Sequence, residues 1–252
     1  VQTCALPIYL SKKLTSVALT LLVSTTLFAG CSNVKTENKT TNTKETKASV
    51  YKRTENVSSV DAKKLLEEGN TRFVENKALD DDISKDKLKD LAINGQKPFA
   101  VIVSCSDSRV PPQNIFDQGL GDLFEIRNAG NVIDDITLGS IEYGVEHANA
   151  PLIVVLGHEN CGAIKAAVDG GKSSNNISAI LDKIKPSFDK VKGSTTNKNE
   201  IYEKCADENI KNTISAIKSS PEIKKLEKEK KVTVIGAKYH IETGKVTFDD
   251  QK

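Results

Sequence analysis

In the stretch PFAVIVSCSDSRV, residues 98–110, an apolar run passes directly into a thiol, a carboxylate and a guanidinium. An uninterrupted apolar run of this kind is typical of a strand that is buried on both faces of a parallel sheet. A second stretch, PLIVVLGHENCGA at residues 151–163, repeats the pattern with a histidine and another cysteine. The two stretches predict core strands that end in chemically reactive side chains.

The remaining segments predict helices and shorter strands around this core. Helical spacing of apolar residues occurs at 60–77, 83–95, 136–149, 163–169, 176–191 and 199–218. In the second of these segments, Ser84 predicts the helix cap and Gly95 predicts the helix end. DLFEIR, residues 122–127, predicts a further strand, and residues 231–248 predict a strand, a turn at Glu242–Gly244 and a second strand. We therefore predict a single α/β domain over residues 60–252, with a parallel core β-sheet flanked by helices and a C-terminal strand-turn-strand.

The first 30 residues have the layout of a bacterial signal peptide. Lys12 and Lys13 precede an apolar stretch over residues 14–28, and the ending LFAGC resembles a lipobox with Cys31 as the lipidated residue. A plain membrane anchor is the alternative, but the apolar stretch is short for crossing a bilayer. The first eight residues, VQTCALPI, do not fit this layout, and we interpret them as artefactual.

Residues 31–59 are rich in threonine, lysine and asparagine and nearly free of large apolar side chains. This composition predicts a disordered tether between the lipidated cysteine and the folded domain. We therefore expect an extracytoplasmic lipoprotein, anchored to the bacterial cell membrane by the lipid on Cys31. The whole chain has 36 basic and 34 acidic residues, and this balance gives no electrostatic reason to expect nucleic acid as a partner.

The ends of the two predicted core strands carry side chains that suit a metal ion. Cys105 and Asp107 share a face because residues two apart in an extended chain point the same way. Two prolines follow Arg109 and end the strand, so Arg109 is expected to turn back over Asp107. His158 follows the second strand, and Cys161 begins a helix whose free amides stabilise a thiolate. Two thiolates and an imidazole suit zinc and leave a fourth position for water.

Four motifs resemble those of the β-class carbonic anhydrases, in the same order and with similar spacing. They are CSDSRVPP at 105–112, RNAGNV at 127–132, SIEYGVEH at 140–147 and GHENCGA at 157–163. The likeness extends over roughly residues 60–248. It implies a zinc enzyme that catalyses the reversible hydration of carbon dioxide to bicarbonate and a proton, with hydroxide on zinc as the attacking group.

The resemblance also implies roles for the residues at the strand ends. Zinc is expected on Cys105, His158 and Cys161. Asp107 and Arg109 resemble the family's catalytic pair, in which the carboxylate accepts a hydrogen bond from the attacking group and the guanidinium keeps the carboxylate ionised.

The carbon dioxide pocket is implied in the same way. Its residues correspond to Gln96, Phe124, Tyr143 and Gly162. The active site of the family lies at a dimer interface, so we expect a homodimer or a higher even oligomer. Gln96 and the two aromatic residues can then come from the same subunit as the zinc ligands or from the other one.

Two other functions stay open on the sequence. One is a lipoprotein that binds zinc or a small anion without catalysis, and the other is a hydrolase of a carbon dioxide analogue. The presence of both Asp107 and Arg109 favours catalysis, because a storage site needs no oriented attacking group. Of the remaining reactive residues, we predict Cys205 as a core thiol, His240 as exposed, and His147 as a residue that caps or pairs at a helix end.

Overall fold

Five strands form a central sheet with the order β2-β1-β3-β4-β5 in a computed structural model that describes residues 57–249. The strands are β1 (Ala100–Ser104), β2 (Leu123–Arg127), β3 (Leu152–His158), β4 (Thr233–Tyr239) and β5 (Val246–Phe248). The first four are parallel, and β5 runs antiparallel to β4. The predicted fold class and the C-terminal strand-turn-strand are confirmed. The predicted signal peptide, Cys31 and nearly all of the predicted tether lie outside the described residues.

The two stretches that predict core strands are the most deeply buried part of the sheet. Every residue of β1 and of β3 is buried. The two strands are parallel neighbours in register, with Ser104 beside Leu156. Because the carboxyl ends of parallel strands meet at one edge of the sheet, the residues that follow β1 and β3 are brought together there.

Eight α-helices surround the sheet in the described part of the chain. They are α1 (Ser59–Val74), α2 (Lys85–Asn94), α3 (Pro112–Ile115), α4 (Asp135–Glu146), α5 (Gly162–Asp169), α6 (Asn175–Val191), α7 (Lys198–Ser219) and α8 (Pro221–Lys228). Apolar residues of α1 and of the α3 segment pack on one face of the sheet. Helices α4, α7 and α8 pack on the other face. Within residues 57–249, none of the helices combines the length and the apolar composition of a transmembrane segment.

The helix ends agree with the capping signals in the sequence, with one correction. Ser84 caps α2 and Gly95 ends it, as predicted. The predicted tether is one residue too long, because α1 begins at Ser59. The Ser58 side chain caps this helix by accepting a hydrogen bond of 3.1 Å from the amide of Asp61.

Candidate metal centre

Three potential metal ligands converge at the carboxyl edge of the sheet. Cys105 directly follows β1, His158 is the last residue of β3, and Cys161 is the N-cap residue of α5. All three residues are buried, and their ligand atoms lie within 4.8 Å of one another. The predicted convergence of these side chains is therefore observed.

The imidazole of His158 is arranged as a metal ligand would be. Its Nδ1 atom lies 2.8 Å from the backbone oxygen of Glu159. A carbonyl oxygen only accepts hydrogen bonds, so Nδ1 carries the proton and Nε2 presents a lone pair. This Nε2 atom is buried and has no hydrogen-bond partner in residues 57–249. An unpartnered buried nitrogen is unfavourable, and a metal ion bound there would satisfy it.

The two thiols lie close to each other beside this imidazole. Their mutual hydrogen bond lowers the pKa of Cys105 well below that of a free thiol and raises the pKa of Cys161. The amide of Gly130 donates to the sulfur of Cys105 at 3.3 Å. The amides of Ala163 and Ile164, in the first turn of α5, favour the charged form of Cys161. A metal ion replaces the proton that the pair shares, so the donor set fits zinc.

Asp107 and Arg109 lie beside this cluster as an ion pair. The Arg109 side chain donates to both carboxylate oxygens, at 2.9 Å from Nε and 2.7 Å from Nη2. Its backbone amide adds a third bond of 2.9 Å. These bonds, above all those of the guanidinium, lower the pKa of Asp107 to about 2. The predicted turn of Arg109 over Asp107 is observed, and the carboxylate is ionised at any neutral pH.

Arg127 is a residue of this site that the sequence reasoning missed. Its guanidinium donates to the backbone oxygen of Cys105 at 3.2 Å and to that of Asp107 at 2.8 Å. Arg127 is the last residue of β2, the strand on the other side of β1. It holds the segment that carries the first thiol and the carboxylate. Its place in the motif RNAGNV was the available signal.

The loop between the other two ligands is also held from outside. The carboxylate of Glu159 lies 2.7 Å from Nδ1 of His240, and the amide of Asn160 donates to Glu203 on α7 at 3.1 Å. The predicted exposure of His240 was wrong, because its ring also contacts Thr247 at 2.9 Å and its side chain is only 31% exposed. The β4–β5 turn brings His240 against this loop, which the local sequence does not reveal.

The other two residues outside the site agree with their predictions. Cys205 is fully buried in the apolar cluster beside Cys105 and Cys161, and burial raises its pKa to about 11. His147 ends α4, where its backbone amide donates to Tyr143 and its ring lies 4.9 Å from the ring of Tyr143.

The predicted pocket residues do not gather around the ligands within one chain. Gln96 precedes β1, so it lies at the amino edge of the sheet, with a strand about 17 Å long, at ~3.3 Å per residue, between it and the ligands. Phe124 and Tyr143 lie together, with ring centroids 6.1 Å apart, and Tyr143 is 53% exposed. Only Gly162, the exposed first residue of α5, adjoins a ligand.

Comparison with known proteins gives the family of this fold and site. A family model described as carbonic anhydrase matches residues 100–246, which is more than half of the chain. The chain therefore belongs to the carbonic anhydrases. The solved structures that it resembles place it in the β class, a class of zinc enzymes.

Three relatives illustrate the similarity. Carbonic anhydrase 2 of Mycobacterium tuberculosis is 49% identical over 136 residues, which are 52% of this chain and 65% of that protein. The chain thus matches slightly less than two thirds of that relative's length. The β-carbonic anhydrase CafA of Aspergillus fumigatus is 28% identical with a TM-score of 0.62, over 66% of this chain and 81% of that one. A tetrameric β-carbonic anhydrase of Sordaria macrospora is 26% identical with a TM-score of 0.62, over 72% and 93%.

Proposed function

We propose that this protein catalyses the reversible hydration of carbon dioxide to bicarbonate and a proton, with zinc held by Cys105, His158 and Cys161. The observation that carries the proposal is the buried, unpartnered Nε2 of His158, which lies within 4.8 Å of two thiols. Bound zinc supplies a Lewis acid that lowers the pKa of a water molecule into the neutral range.

Asp107 orients the attacking group in this proposal. Each carboxylate oxygen has two lone-pair positions, so the bonds from Arg109 leave room for a further donor. The ionised carboxylate accepts a hydrogen bond from the attacking oxygen and thereby directs its free lone pair toward carbon dioxide. Arg109 supports this by keeping the pKa of Asp107 at about 2. Arg127 fixes the backbone on which Cys105 and Asp107 lie.

Stopped-flow measurement of carbon dioxide hydration, with zinc determined on the same sample, tests the proposal. We expect about one zinc per chain and fast hydration in the parent protein. A parent that binds zinc without hydrating carbon dioxide would refute the enzymatic proposal and support a binding protein. A zinc-loaded parent that instead hydrolyses a carbon dioxide analogue would redirect the proposal to that substrate.

We also propose that two subunits complete the active site. The surface formed by Phe124, Ile136 and Tyr143, here called the α4 patch, supports this, since Ile136 is 80% exposed and Tyr143 is 53% exposed. The patch includes Phe124 of β2, which is one of the two edge strands of the sheet. None of the ten residues of α2 is buried against the described part of the chain, although Leu88 and Ile93 are apolar. A second copy would cover these surfaces and bring its Gln96, Phe124 and Tyr143 to the site.

We further propose that the protein is a lipoprotein attached through Cys31 outside the cytoplasm. The basic pair before an apolar stretch and the ending LFAGC support this proposal. Mass spectrometry of the mature N-terminus tests it, and a diacylglyceryl-modified Cys31 is the expected result. A mature chain with an unmodified Cys31, or one that starts at another residue, would refute it.

A further inference from the structure

Two buried polar side chains on α7 point away from solvent toward one short turn. Asn209 is 1% exposed and Thr213 is 3% exposed. Burying a polar group is unfavourable unless it finds a hydrogen-bond partner. Nδ2 of Asn209 and Oγ1 of Thr213 each find one in the 3₁₀ turn Ala129–Asn131, which lies between β2 and α4, whereas Oδ1 of Asn209 has no partner among residues 57–249.

The two hydrogen bonds reach neighbouring carbonyls of this turn. Nδ2 of Asn209 donates to the backbone oxygen of Gly130 at 2.8 Å. Oγ1 of Thr213 donates to the backbone oxygen of Asn131 at 3.2 Å. Asn209 and Thr213 thus lie on the same helix, contact the same turn and are similarly buried, but only Asn209 donates to Gly130.

Gly130 is the residue of the turn that contacts the metal centre. Its amide donates to the sulfur of Cys105 at 3.3 Å. Its φ angle is +69°, and a Cβ atom built there would lie 2.9 Å from Ile184 and 3.1 Å from Ala163. The turn therefore needs glycine at this position, because any other residue would have an unfavourable φ angle and its Cβ atom would clash with Ile184 and Ala163.

We propose that Asn209 is a positioning residue for the metal ligand Cys105, acting through Gly130. The hydrogen bond at the carbonyl of Gly130 fixes the turn, and the fixed turn directs the amide of Gly130 at the thiolate. An amide donor withdraws charge from a ligating sulfur and restricts its position, which changes how strongly the sulfur donates to a metal ion. The proposal rests on the zinc ligands proposed above.

The absorption spectrum of the cobalt-substituted protein reports directly on the thiolate ligands. Co²⁺ bound by cysteine gives a sulfur-to-cobalt charge-transfer band, and this band moves to longer wavelength when the sulfur loses a hydrogen bond. We expect this shift in Asn209→Leu and none in the control Thr213→Val. We also expect zinc affinity to fall about tenfold in Asn209→Leu, the lower end of the range for residues behind the ligands. Each variant loses one buried hydrogen bond, so the thermal unfolding midpoint of each should fall, and only the shift of the band distinguishes Asn209→Leu from the control.

The outcomes separate this proposal from that of the metal site. A parent protein without the charge-transfer band would refute the proposed ligands themselves. A parent with the band, together with an unshifted Asn209→Leu or an equal shift in both variants, would overturn the role of Asn209 alone. If Asn209→Leu does not fold, nuclear magnetic resonance of the parent loaded with ¹¹³Cd decides. Scalar coupling from the Gly130 amide proton to cadmium is then expected, and its absence overturns the proposal.

Discussion

The metal cluster and the α4 patch differ in how completely one chain builds them. The ligand residues Cys105, His158 and Cys161 are all buried, and backbone donors and acceptors surround them. The α4 patch is open, and Tyr143 is more than half exposed. A single chain therefore assembles the metal centre, whereas the predicted substrate pocket has no enclosure until another surface covers it.

This difference follows from topology. The carboxyl ends of β1 and β3 are neighbours in a parallel sheet, so a short loop after each strand suffices to bring the ligands together. Gln96 lies at the opposite edge of the sheet, and Phe124 lies on the edge strand β2. No local rearrangement of one chain moves these residues to the ligands, which is why the pocket is proposed to form between subunits.

Removing a ligand should have the largest effect. Cys161→Ser is expected to lose most of its zinc after dialysis and with it nearly all hydration activity, because an alcohol is a poor replacement for a thiolate on zinc. Cys205→Ser is the matched control, since Cys205 is also a buried cysteine of the same apolar cluster. Metal analysis and stopped-flow rates check both variants. Full zinc content in Cys161→Ser would show that the ligand set is wrong.

Removing the guanidinium should have the next largest effect. Arg109→Ala is expected to keep zinc but to lose hydration rate by about 100-fold, the loss typical when the group that orients the attacking atom is misplaced. The pKa of Asp107 should rise toward its ordinary value, since Arg109 is the main cause of its depression. Rates and zinc content measured together check this prediction. A variant with near-parental rates would remove the role assigned to the ion pair.

The pH dependence of the rate separates Asp107 from the metal centre. The zinc-loaded parent is expected to gain activity through roughly pH 7–8.5, because electron donation from two thiolates raises the pKa of zinc-bound water somewhat above its usual value near 7. Asp107 does not titrate there, since its pKa is about 2. Asp107→Asn should therefore lower the rate at every pH but keep the rise, with its midpoint moved to lower pH because loss of the nearby negative charge favours deprotonation of the bound water. A rate that no longer depends on pH in this variant would assign the titration to Asp107 instead.

The same pKa predicts how Asp107 contributes to stability. A carboxylate whose folded-state pKa lies below the ordinary value of about 3.9 stabilises the folded state fully above that pH. This contribution is lost as the pH falls toward 2. Acid unfolding of Asp107→Asn and of the parent should therefore converge at low pH, and a difference that persists there would contradict the assignment.

A substitution in the α4 patch should weaken the association of subunits without changing the metal centre. Ile136→Glu is expected to raise the dissociation constant of the oligomer at least about tenfold, because it places a charge in a desolvated contact. Ile177→Glu is the control, since Ile177 is also a partly exposed isoleucine but lies on α6. Sedimentation at several protein concentrations checks both variants. Equal association of Ile136→Glu and the parent would exclude this surface as the interface.

The smallest effect is expected from a change at His240, which contacts the loop between His158 and Cys161. His240→Ala removes the contact to Glu159, whose carbonyl oxygen in turn accepts a hydrogen bond from His158. Zinc affinity should fall by less than about tenfold, because both side chains are partly exposed and water can replace the contact. Competition with a chelator measures the change. Thr247→Val, which removes only the outer partner of His240, should change the affinity less still.

The sequence was sufficient wherever a local pattern determines the structure. The unbroken apolar runs of β1 and β3, the Ser84 cap and the glycine at position 95 each act within a few residues, so they predict strands, a helix start and a helix end. The three ligands could be grouped for the same reason, because each lies at the end of a core strand or within three residues of it.

The supports of the site could not be found in this way. Arg127, Asn209 and His240 contact the segments around the metal centre from other elements of the fold. Their roles depend on tertiary packing, and an asparagine or histidine in a helix or turn has no periodic signal. The short helix α3 was missed because four residues are too few to show helical spacing.

The zinc content and hydration rate of monomeric Ile136→Glu decide whether one chain or two form the active site, and sedimentation identifies the concentration at which this variant is monomeric. We expect a folded monomer that retains about one zinc per chain and has lost nearly all hydration activity. Ile177→Glu, assayed in parallel, should keep both. A zinc-loaded monomer that hydrates carbon dioxide at the parental rate would contradict the claim that the metal centre is complete in one chain and the active site only in two.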